Sequence, residues 1–68
     1  MRKKKARHII RDWLGIMEWP SIPADNDTFE QDELADTISE ALDLSEVDRN
    51  TIMETIKEMA SGAAERNR

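Results

Sequence analysis

Apolar residues recur along this chain at helical spacing in three separate stretches. Ala6, Ile9, Ile10, Trp13, Leu14 and Met17 are spaced by threes and fours, the period of an amphipathic helix. Gly15 weakens that helix, and Pro20 is expected to end it at or before Trp19. Leu34, Ala35, Ile38, Ala41 and Leu42 form the most regular stripe. Ile52, Ile56, Met59, Ala60 and Ala63 form a third, with Gly62 as a C-terminal stop. No stretch alternates with the period of a strand.

The breaks between stripes carry capping chemistry. Residues 20–27 read as a loop, with Pro20 and Pro23 restricting it and Asx side chains suited to turns. Thr28 with Gln31 fits a capping box for the second helix, and Asp27 with Glu30 is an overlapping alternative. For the third helix, Asp43 with Glu46 can cap, with Leu42 and Val47 as a hydrophobic staple. Ser45 with Asp48 is a weaker version of the same signal. The expected fold is all-α, a small three-helix bundle in a single helical domain over residues 1–68. Residues 1–5 are expected as a basic arm and 63–68 as a frayed tail. The expected core is Ile10, Trp13, Leu14, Met17, Leu34, Ile38, Leu42, Ile52, Ile56 and Met59, with Phe29 and Trp19 closing its ends.

Charge divides the chain sharply. The 68 residues carry ten Lys and Arg against fifteen Asp and Glu, for a net charge of −5. Residues 1–11 hold Arg2, Lys3, Lys4, Lys5, Arg7 and Arg11 without an acid, whereas every acid lies in residues 12–65 beside only Arg49 and Lys57. Such asymmetry bears on partners and solubility rather than on fold. The start Met1-Arg2-Lys3-Lys4-Lys5 has the charge of a signal-peptide n-region, but Arg7, His8, Arg11 and Asp12 interrupt any apolar segment behind it. No run approaches the roughly 20 apolar residues of a membrane span. With no cysteine for a disulfide framework or thiolate metal site, the expectation is a soluble, unprocessed cytoplasmic protein.

Catalytic constellations are poorly supplied. His8 is the only histidine, lies among cations and has no second ligand at metal spacing, so it reads as a surface residue and no metal is expected. Gly15 and Gly62 cannot build a phosphate loop. The segment Asp25-Asn26-Asp27-Thr28-Phe29-Glu30 is rich in carboxylates, but it places Phe29 and Glu30 where a calcium loop needs an oxygen ligand and a glycine. Neither an enzyme nor a cofactor is expected.

Two surfaces remain as candidates. On the second helix Glu33, Asp36, Glu40 and Asp43 recur at steps of three, four and three, opposite the Leu34/Ile38/Leu42 stripe. Their axial steps of roughly 4.5–6 Å are of the order of the phosphate spacing of duplex DNA, about 3.4 Å per strand. Glu46, Asp48 and Glu54 extend the patch. The leading expectation is therefore a non-enzymatic acidic interaction protein, an inhibitor or modulator binding the basic surface of a nucleic-acid-handling partner as a DNA mimic. By analogy, such small acidic helical proteins are typical of phages and mobile elements. A face that only keeps the domain soluble is the plainer reading. The basic segment (Arg2, Lys3, Lys4, Lys5, Arg7, Arg11) suits phosphates, an anionic surface, an acidic patch of protein, or the acidic body of the same chain or a second copy. A homodimer seam is left open by Trp19, Ile22, Phe29 and Met53.

The residues Ile38-Ser39-Glu40-Ala41-Leu42-Asp43-Leu44-Ser45, followed by Arg49-Asn50-Thr51-Ile52, resemble a helix-turn-helix unit, whose second helix enters the major groove in DNA-binding regulators. Asp43 stands at the usual turn glycine, and Glu46-Val47-Asp48 reads as an insertion of about three residues. That resemblance implies the alternative: a small transcription regulator with a basic N-terminal arm. Glu46, Asp48, Glu54 and Glu58 on the reading helix oppose it, because they add charge of the same sign as the phosphates.

Overall fold

The computed structural model describes residues 1–24 and 26–62. Three helices, α1 (Lys3–Ile16), α2 (Thr28–Leu42) and α3 (Glu46–Ser61), form an all-α three-helix bundle. Both α1 and α2 pack chiefly on α3, with little contact between them. Fully buried Ile52 and Ile56, with Met59, form the centre, against Ala6 and Ile10 of α1 and Leu34, Ala35 and Ile38 of α2. The two alanines, which were not expected in the core, leave room for the helix backbones to approach.

Trp13, Leu14, Met17 and Trp19 lie half-buried around this centre, as do Met1, Ile22, Leu44 and Met53. Leu42 and Phe29 depart from the expected core, being 43% and 76% exposed. Leu42 is the last residue of α2, at the end of the buried stripe. Phe29 lies one turn before Glu33, in phase with the outward residues of its helix rather than with the Leu34/Ile38 stripe.

Helix α1 stops sooner than Pro20 requires. The Trp19 N–H donates to Leu14 O (2.9 Å) and the Glu18 N–H to Gly15 O (3.2 Å), a Schellman closure with Glu18 in the left-handed region at φ 61°. Helix α2 closes in the same way. Leu44 N–H donates to Ser39 O (2.9 Å) and Asp43 N–H to Glu40 O (3.4 Å), with Asp43 at φ 53°. Gly62, at φ 78°, ends α3 as expected. Ala63 and the tail expected to fray lie outside the described residues.

Of the alternative caps, the Asp27 side chain accepts from Glu30 N–H (3.2 Å) and the Ser45 hydroxyl from Asp48 N–H (3.2 Å). The Asp43/Glu46 cap does not form, because Asp43 closes the preceding helix. Its staple fails too, with Val47 71% exposed. The α2–α3 turn is therefore the three residues Asp43, Leu44 and Ser45. Glu46, Val47 and Asp48 form the first turn of α3 instead of an insertion. The connection after α1 is tied to α2 by buried Gln31, whose Nε2 donates to Ala24 O (2.7 Å).

Two substitutions test this account. An L-residue in the left-handed region costs about 1 kcal/mol, so Asp43→Gly is expected to raise Tm by about 4–8 °C in thermal denaturation. Ser39 is 8% exposed and its hydroxyl finds no hydrogen-bond partner among the described residues. Ser39→Ala removes that unpaired group and improves helix propensity, for an expected gain of about 1 kcal/mol in chemical denaturation.

Candidate interaction surfaces

A helix buried on one side presents the positions half a turn away to solvent. On α2 the buried side is Gln31, Leu34, Ala35, Ile38 and Ser39. Opposite it, Phe29, Glu33, Asp36 and Glu40 form one exposed line at steps of four, three and four. With Asp32 and Thr37 they border a shallow groove. This line retains Glu33, Asp36 and Glu40 of the expected acidic face and adds Phe29. The sequence contained that signal, since Phe29 falls in register with the acids.

The remaining acids do not join a single patch. Asp36 holds Arg49 of α3 across the α2·α3 seam, through Nε at 3.0 Å and through the second guanidinium nitrogen. Asp48 lies on the other side of α3, where its Oδ1 meets the Met1 amino group at 2.9 Å. Glu58 pairs with Lys3, and Glu54 is close enough to add to the field on that amine. Asp43 and Glu46 sit exposed at and after the α2–α3 turn. The expected patch splits because α3 lies between its two neighbours. Its carboxylates consequently line the seam with α1 as well as the surface near α2.

The basic start is not an arm. Lys3, Lys4 and Lys5 form the first turn of α1, and Arg2 is its N-cap residue without a side-chain capping bond. Three cations here oppose the positive end of the helix dipole, and no acid in the first turn offsets them. Compensation comes from α3. The hydrogen bond from Lys3 to Glu58, reinforced by the charges of Glu58 and Glu54, holds the Lys3 amine above its usual pKa. The hydrogen bond to Asp36 and that carboxylate's charge raise Arg49 likewise. Lys4, Lys5, Arg7, His8 and Arg11 border a shallow concave strip along the outside of α1. His8 Nε2 lies 3.6 Å from Asp12 Oδ2.

Among the described residues no helix is long and apolar enough to cross a membrane, and no group of three His, Cys, Asp or Glu is placed to hold a metal ion. No protein-family model, curated protein or solved structure matches the chain. The reading of these surfaces rests on their own chemistry.

Glu30 offers a test of the local electrostatics. Its interaction with Asp27, by hydrogen bond and then by charge, holds the Glu30 carboxyl above the usual carboxylate range. Because the folded-state pKa exceeds the unfolded one, this group favours the fold when protonated and loses that contribution as pH rises through the raised value. Glu30→Gln copies the protonated form. It is expected to raise Tm at neutral pH, with the advantage over the parent vanishing below the carboxylate range in melts across pH.

Proposed function

We propose that this is a non-enzymatic interaction protein that binds a basic protein surface through the outward face of α2. The observation that carries the reading is the line of Glu33, Asp36 and Glu40 running from an aromatic ring that the fold leaves exposed. Carboxylates at this spacing self-repel, and an exposed Phe29 contributes nothing to the core, so stability alone does not account for the arrangement. A partner presenting Lys and Arg would neutralise the line and cover the ring, with cation–π contact available at Phe29.

In its sharpest form the reading is nucleic-acid mimicry. The acidic helix would occupy the basic groove of a DNA- or RNA-handling protein and block it, in the manner of phage-encoded inhibitors acting in the cytoplasm. Asp36, shared with Arg49, would contribute less than Glu33 and Glu40. Association of this kind is steered by charge and weakens with salt.

A second reading has one observation in its favour. The three-residue turn, with Asp43 in the left-handed conformation that a helix-turn-helix glycine adopts, is compatible with a small DNA-binding regulator. Its reading helix, however, would offer Glu46, Val47, Asn50 and Glu54 to the groove.

The two readings separate cleanly. The E33K/E40K double variant, which leaves the Asp36–Arg49 pair in place, is expected to lose displacement of duplex DNA from a basic nucleic-acid-binding protein by about tenfold or more in affinity. Neutralising Lys4 and Lys5 is expected not to weaken it. Tight gel-shifting of random duplex by the purified protein at moderate salt would reject mimicry in favour of direct DNA binding.

A further inference from the structure

We infer that the outward face of α1 docks, antiparallel, on the outward face of α2 in a second copy of this chain. The inference goes beyond the binding of a foreign partner and holds with or without one. On α1 the positions opposite the buried Ala6 and Ile10 are Lys4, His8, Arg11 and Gly15, all exposed, at steps of four, three and four. On α2 the corresponding line, traced backwards, is Glu40, Asp36, Glu33 and Phe29, also at steps of four, three and four. Laid antiparallel, Lys4 meets Glu40, His8 meets Asp36, and Arg11 falls beside Glu33. Phe29 meets Gly15.

The last pair gives the match its shape. A Cβ built on Gly15 would have nothing within 4 Å, so the far end of the basic line is bare helix backbone in open space. This flat site lies where an aromatic ring 76% exposed on the other helix needs a surface. Exposed Ile16, 64% open to solvent, sits beside it and adds apolar area.

Both faces are electrostatically unfavourable in the isolated molecule. Lysines crowd the positive end of the α1 dipole, while Glu40 and Asp43 crowd the negative end of α2, whose last turn has no base. Antiparallel docking places each end against its opposite, so side-chain charge and helix dipole are relieved together. Within one copy the faces cannot meet, because α1 and α2 each pack on α3 and turn these lines away from the bundle. A second copy is the occupant whose charge pattern the structure itself supplies.

The test is the mass of the purified full chain in sedimentation equilibrium. At low salt the weight-average mass is expected to rise above 7.9 kDa with concentration, and to return to it at about 1 M salt, where the Debye length is near 3 Å. K4E and E40K are each expected to weaken self-association by about tenfold. Mixing them should restore it, since the reversed α1 face of one then meets the reversed α2 face of the other. G15L covers the bare site with a side chain whose Cβ has nothing within 4 Å beyond its own stretch of helix. It should keep or raise the melting temperature, since Leu is the better helix former, while losing association. A plateau at the dimer reports the contact closed by a two-fold axis, and continued growth reports it propagated head to tail. A mass of one chain at every concentration, or association indifferent to K4E and E40K, would overturn the inference. K4E leaves α2 untouched, so its effect is read separately from any loss of partner binding.

Discussion

The contact of α3 with both other helices is what the rest of this structure depends on. Ile52, Ile56 and Met59 bury against Ala6 and Ile10 on one side and against Leu34, Ala35 and Ile38 on the other. In a chain of 68 residues so small a core is marginal, and each Ile, Leu and Met here contributes about 1.5–3 kcal/mol by leaving water, the alanines less. Because α3 supplies the common surface, α1 and α2 turn their polar sides outward in different directions. The charge pattern of the molecule follows from that arrangement.

Electrostatics reinforce the same seams. Lys3 with Glu58, the Met1 amino group with Asp48, and Arg49 with Asp36 all bind α3 to its neighbours across the edges of the core. Partly exposed pairs of this kind add little to stability individually. Their larger effect is on which charges remain available. Lys3 and Asp48 are engaged within the molecule, whereas Lys4 and Lys5 of α1 and Glu33 and Glu40 of α2 face solvent. The net result is a bundle with a basic face on one helix and an acidic face on another, so the charge division along the chain becomes a division between helix faces.

These two faces link the proposed function to the proposed self-association. A copy docked on α2 covers Glu33, Glu40 and Phe29, the groups that would engage a basic partner. Self-association and partner binding would then compete for one surface, and salt would weaken both. Asp43 adopts the left-handed conformation of a helix-turn-helix turn residue, while α3 carries Glu46, Asp48, Glu54 and Glu58. Local turn chemistry and surface charge are independent properties of a helical pair, and here they point in different directions.

The positions of the helices were legible in the chain because they follow from local spacing. Leu34, Ala35 and Ile38 repeat at the helical period, Gly62 stops α3, and the acidic line on α2 occupies the face opposite that stripe. The phase of Phe29 was legible on the same grounds, although its aromatic character suggested burial. What local pattern could not decide was any choice between equivalent partners. Ser45 caps α3 because Asp43 is consumed in closing α2, and Leu42, the last residue of α2, is left exposed although it continues the buried stripe. The basic segment is helical from Lys3 onward because Ala6 and Ile10 bury against α3, which also sets Glu58 beside Lys3. Those outcomes depend on how three helices meet in space, since only packing determines which charges become neighbours.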